Sequence, residues 1–166
     1  MKQLYLLQVG PAQFPDDPAV CLGSQLQVLL SVISLGIPNF LWFAADVEVN
    51  QSPTSEVTGK GPTPTYVGHT GEITRFAGSV DQFLSGVFLA VEEGAVRELQ
   101  ALQFFTDDPQ FREIEPAEIE IRAFDTSFLE VYANRTEYLT NLAAKYPNTG
   151  SHAKVVMLCF ARCSAL

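Results

Sequence analysis

The chain is short of most residues that carry chemistry. Of its 166 residues, three are cysteine, two histidine and one tryptophan, and its ten lysines and arginines face 19 acids. Three cysteines cannot all pair within one chain, so they read as reduced thiols rather than a disulfide framework. A formal charge of −9 and a pI near 4.6 disfavour a polyanionic partner, whether nucleic acid or anionic membrane. Charged residues make up only 17% of the chain and hydrophobic residues 47%, a globular balance that excludes a solvated disordered chain. The length predicts one domain, 1–166, able to bury a core without metal or disulfide staples.

No charge occurs between Pro18 and Ala45, yet this run does not read as a membrane span. Ser24, Gln25 and Gln27 interrupt its first part and Gly36-Ile37-Pro38-Asn39 its last, where a spanning helix needs about 20 continuous apolar residues. The N-terminus lacks the long apolar run and small-residue cleavage site of a secretion signal, so a first strand, a cytoplasmic location and no membrane partner are expected.

The periodicity predicts an α+β fold, an antiparallel or mixed β-sheet with helices packed against it. Leu4 to Val9 reads as a strand. Ser24 and Gln27 have the capping-box form ahead of a helix bearing Leu26, Leu29, Leu30 and Ile33, stopped by Gly36 and Pro38. Phe40 to Val49 reads as a central strand on which Trp42, Asp46 and Glu48 share one parity and so one patch. Residues 50–75 form a loop-rich insertion, with a short extended piece at Thr65-Tyr66-Val67. Ser79 and Gln82 suggest a short helix through Phe83 and Leu84, ended by Gly86 and followed by a strand Val87–Val91. Val96 to Phe105 fits a helix by the spacing of Val96, Leu99, Leu102 and Phe105, while Phe104-Phe105 fits the end of a strand. Ile119, Ile121 and Ala123 alternate with Glu118, Glu120 and Arg122, and Phe128–Tyr132 completes a hairpin with one wet face. Asn134 and Glu137 are expected to cap a helix ending at Lys145 and Pro147. A last strand is expected at Val155–Phe160.

Little in the chain points to a reaction centre. Gly-x-Ser-x-Gly is absent, and His69 and His152 sit in loop-like surroundings. Cys159 and Cys163 lack the partners of a zinc site, and the acids lack calcium-loop spacing. Gly59-Lys60-Gly61 falls short of a phosphate loop, and Gly10-Pro11 of a dinucleotide turn. No catalytic residue, metal or cofactor is assigned. The acid distribution is more informative: between Asp107 and Glu137 nine acids accompany only Arg112, Arg122 and Arg135. Glu118, Glu120 and Glu130 are expected on one exposed sheet face, where like charges cost stability and are commonly kept for a basic partner.

The segment Glu118-Ile119-Glu120-Ile121-Arg122-Ala123-Phe124-Asp125-Thr126-Ser127-Phe128-Leu129-Glu130-Val131-Tyr132, followed by a capped helix, resembles the closing hairpin and helix of small bacterial immunity proteins. These accompany polymorphic toxins of contact-dependent inhibition and secreted-effector systems. The likeness spans 115–147. It implies a non-enzymatic protein that neutralises a cognate toxin by direct docking on a basic active site, in the cytoplasm. Asp46, Glu48, Asp107, Asp108, Glu118, Glu120, Glu130 and Tyr132 are the candidate contacts. The alternative is a small-ligand-binding or hydrolytic enzyme that uses residues 50–75 as a lid over Trp42 and Asp46, with His69 close by.

Overall fold

A computed structural model describes residues 3–36, 39–50, 58–108, 116–146 and 156–159. Seven strands make one antiparallel sheet: β1 (Gln3–Val9), β2 (Leu41–Val49), β3 (Thr65–Gly68), β4 (Phe83–Val91), β5 (Ile119–Phe124), β6 (Phe128–Ala133) and β7 (Val156–Cys159). Their order is β3-β2-β4-β5-β6-β1-β7, so the α+β reading holds. Helices α1 (Gly23–Ile33), α2 (Thr70–Gly78) and α4 (Glu137–Lys145) cover one face, and α3 (Val96–Gln100) belongs to the other.

Side-chain alternation divides each strand between two cores. On the helix side, Leu7 and Val9 of β1, Trp42 and Ala44 of β2, Phe88 and Ala90 of β4, and Ile119, Ile121 and Ala123 of β5 meet Leu26, Leu29, Leu30 and Ile33 of α1 and Leu139 and Leu142 of α4. On the second face, Phe43, Ala45, Val87, Leu89 and Val91 pack beneath Leu99, Phe104, Val96 and Leu102. Val96–Phe105, open to two readings from sequence, therefore resolves into a short helix and an irregular segment. Burial of its apolar residues against β2 and β4 decides this, since five helical residues are too few to be stable alone.

Several local expectations change. The helix expected at Ser79–Leu84 lies earlier, at α2, and Phe83 to Val91 is one unbroken strand running through Gly86. Phe83 and Phe88 stack edge-on at 5.2 Å, and that burial outweighs the local capping pattern. Helix α1 starts at Gly23 rather than after Ser24, and the Gln25 side chain accepts the Leu22 N–H at 3.2 Å. Asn134 does not cap α4: Thr136 holds that position without a side-chain bond, and the buried Asn134 Oδ1 has no partner among the described residues. The short extended piece at 65–67 is β3, and β7 lies within the expected last strand. Pro38, Pro147, His152 and Cys163 lie outside the described residues. No helix of the described residues is long and apolar enough to cross a membrane.

Candidate functional site

Strand β2 holds the irregularity that organises the second face. Its register with β4 slips between Ala45, opposite Val87, and Glu48, opposite Ser85, and Asp46 sits in the left-handed region at φ 53°. This is a β-bulge, which re-aims side chains and opens the ladder. The freed Asp46 and Val47 N–H groups donate to the carbonyls of Gly61 and Gly59, each at 2.8 Å. Gly59 has φ +82°, and a side chain there would overlap the Ala44 backbone, so only glycine lets the loop approach so closely.

The bulge breaks the parity that sequence alternation implied. Trp42 is fully buried on the helix side, its indole N–H donating to the Thr70 hydroxyl at 3.1 Å. Asp46 instead accepts the Thr106 N–H at 2.7 Å, while Glu48 is exposed beside an open depression of about 370 Å³ lined by Val47, Val49, Lys60 and Leu84. Trp42 and Asp46 therefore share no patch. His69 is exposed and takes the N-cap position of α2, where its N–H donates to Glu72 at 3.0 Å.

From Thr106 a polar network runs across the sheet. Gly86, opposite the bulge, donates its N–H to the Thr106 hydroxyl at 3.1 Å. The Arg122 guanidinium donates to the Thr106 carbonyl at 3.4 Å and the Asp108 carbonyl at 2.8 Å, and it pairs with Glu120 through Nε. It also stands over the Tyr132 ring, 5.4 Å from the centroid, a cation–π placement. The Tyr132 hydroxyl donates to Glu130, whose other oxygen accepts from the Gln8 amide at 3.4 Å.

This arrangement corrects the expected wet face. Glu120, Arg122, Glu130 and Tyr132 are 0 to 2% exposed. Cross-strand pairing of Arg122 with Glu130, and of Glu120 with Tyr132, puts all four on one face as the alternation implied. That face is closed, and nothing in the alternation distinguishes a covered polar row from a solvated one. Glu118 parts company with Glu120: its carboxylate accepts from Tyr138 of α4 at 3.3 Å and lies 3.9 Å from Arg135, on the helix side. Asp107 is exposed and Asp108 partly so, the latter accepting the Phe105 N–H at 3.2 Å. The eight candidates thus fall into separate groups rather than one acidic surface. What the sequence reading missed is Phe105, 44% exposed between Asp108 and the buried Phe104, and Tyr66, 49% exposed on the edge strand. An aromatic doublet with only one buried member was the available signal.

Burial raises the Glu130 carboxyl above the usual carboxylate range, opposed by the Tyr132 hydrogen bond and then by the Arg122 charge. Burial and the bond to Glu130 likewise push the Tyr132 hydroxyl upward. On the helix side, burial pushes the Cys21 thiol up to about 11, which keeps it a thiol and a poor nucleophile at neutral pH. The raised Glu130 value carries a pH prediction. Between the unfolded value of about 4.3 and its elevated folded value, the native state holds more protons at Glu130 than the unfolded chain. The contribution of Glu130 to stability therefore falls as pH rises through that window. Glu130→Gln keeps an acceptor for Tyr132 and removes this titration. Urea denaturation at several pH values should show the stability of the variant, relative to wild type, increasing with pH. A constant or decreasing difference would contradict it.

Among the described residues no group of three histidine, cysteine or carboxylate side chains is placed to hold a metal ion. Comparison with family models, curated proteins and solved structures finds no match for this chain.

Proposed function

We propose that the chain is a non-enzymatic protein-binding domain of the immunity type, which docks on a basic protein through the loop at 104–108. The observation that carries the proposal is Phe105. It is an exposed aromatic on a segment held at both ends, beside the Asp107 carboxylate. Asp46, Gly86 and Arg122 fix this segment through Thr106 and Asp108, and the Phe104 N–H donates to the Pro62 carbonyl at 2.8 Å. A preordered loop loses little entropy on binding, and an aromatic anchor ringed by complementary charge is the usual source of affinity and of association rate. The net charge of −9 favours a cationic partner, and a toxin that acts on nucleic acid needs such a surface. The likeness of residues 115–147 to immunity proteins points the same way. Glu120, Glu130 and Tyr132 are too buried to serve as contacts; Glu120 and Tyr132 instead hold Arg122, which binds the loop. Glu48 and Asp107 remain as exposed acids, with Asp108 and Glu118 partly exposed.

The test is a binding assay between this chain and the protein encoded beside its gene, run at two salt concentrations. Phe105→Ala should weaken the complex about tenfold or more. Asp107→Lys should slow association and reduce the salt dependence, because long-range steering is screened by salt. Failure to form a complex at low salt, or full affinity in both variants, would refute the reading.

The rival lid-covered enzyme loses two of its parts, since Trp42 belongs to the helix-side core and His69 is an exposed helix cap. Residues 51–57 of its lid lie outside the described residues.

A further inference from the structure

Where β1 ends and the β5–β6 turn begins, a cavity of about 300 Å³ opens between Gln8, Gly10, Pro11 and Ala12 on one side and Ser127 and Phe128 on the other. Asp125 and Thr126, both at positive φ, form the adjoining turn, closed by the Ser127 N–H donating to the Phe124 carbonyl at 2.7 Å. The lining is mainly hydrocarbon, and the volume lies at the lower end for small-molecule sites. Of its two polar side chains, Ser127 already donates to the Asp125 carbonyl at 3.1 Å. The other, Gln8, donates to Glu130 at 3.4 Å, a long bond for a neutral amide facing a carboxylate.

Behind that amide, Glu130 is 2% exposed and makes no ion pair among the described residues. Among the described residues its oxygens accept from the Tyr132 hydroxyl and the Gln8 amide. Arg122, whose charge acts on Glu130 from the facing strand, is engaged by Glu120 and by two backbone carbonyls. A buried carboxylate that shares its counter-charge with a second acid is costly when ionised. Here one rotatable, half-buried side chain separates it from an apolar cavity. An anionic ligand would be repelled by Glu130 and by the negative field of the protein. A neutral ligand would gain only contact with the walls. A cation would give Glu130 the charge of its own that, among the described residues, it shares with Glu120.

We propose that this cavity binds a small organic cation, a primary ammonium on an apolar body. The body lies against Phe128, Pro11 and Ala12, and the ammonium reaches Glu130 once the Gln8 amide turns aside. Among the described residues, the groups around the bound charge are Glu130 and Tyr132 from β6, Arg122 and Glu120 from β5, and Gln8 from β1. The cavity shares no lining residue with the loop at 104–108, so a cation titration reads it apart from the docking proposal.

The experiment is an NMR titration of the full chain with benzylammonium, and with benzyl alcohol as the uncharged isostere. Benzylammonium should shift the Gln8 side-chain amide and the backbone signals of Ser127 and Phe128 saturably, with affinity about tenfold above that of the alcohol. Glu130→Gln should erase the difference between the two ligands while leaving the spectrum of a folded protein. Gln8→Ala, which removes the closing amide, should bind benzylammonium more tightly. Equal binding of the two ligands, unchanged preference in Glu130→Gln, or no shift at Gln8, Ser127 and Phe128 would overturn the assignment.

Discussion

Replacing Arg122 with methionine is expected to lower the unfolding free energy by about 3–5 kcal/mol, the usual range when one member of a buried ion pair is removed. Arg122 is 2% exposed and is paired with the fully buried Glu120. Methionine fills much of the same volume, so little of the loss comes from packing. The loss comes from taking the guanidinium away from a carboxylate held out of water, and from the Thr106 and Asp108 carbonyls that it also serves. Two measurements check this. Urea denaturation gives the global loss, and limited proteolysis reports whether the segment at 104–108 is released. Combining Arg122→Met with Glu120→Gln should recover part of the stability, because the buried charge goes with its partner. A single-variant loss below about 1 kcal/mol, the range of an exposed ion pair, would mean that the cluster is solvated.

The second large effect is expected at Gly23, the first residue of α1. A methyl group there would overlap the backbone carbonyl oxygens of Val80 and Ala77, where α2 gives way to β4. The Gly23 N–H donates to the Asp81 carbonyl at 3.2 Å, and Leu22 makes an isolated bridge with Gln82. This joint is thus backbone against backbone, with no flexible side chain able to yield. Ordinary overpacking costs about 1–3 kcal/mol, and Gly23→Ala should reach the top of that range or pass it, despite the better helix propensity of alanine. Gly94→Ala makes the control, since nothing lies within 4 Å of a methyl group there. Thermal unfolding of the two variants should separate them clearly. A Gly23→Ala protein with wild-type stability would show that α1 can shift away from the joint.

The sequence was most legible where a pattern had to satisfy one neighbour only. Ile119, Ile121 and Ala123 alternate because one face of β5 meets the helices, and the same rule marks Leu26, Leu29, Leu30 and Ile33 on α1. It was least legible where a segment meets two layers. Phe83-Leu84 follows a capping-box pattern, yet the Phe83 ring is held by Phe76 and Phe88 and the backbone is drawn into β4. Parity along β2 failed for a different reason: one bulged residue, Asp46, redirects every side chain after it, and the loop carbonyls that stabilise the bulge lie at Gly59 and Gly61.

Composition and periodicity by themselves determined the class of fold, the strands of the hairpin, the apolar stripe of α1 and the surplus of negative charge. Each follows from local chemistry, the spacing at which apolar side chains recur or the number of acids present. Only the tertiary structure decided which carboxylates meet solvent. Glu118, Glu120 and Glu130 look alike in the sequence, but one pairs with α4, one is held by Arg122 and one lies behind Gln8. Exposure is set by what packs over a strand from distant parts of the chain, and alternation records only that a residue faces one side.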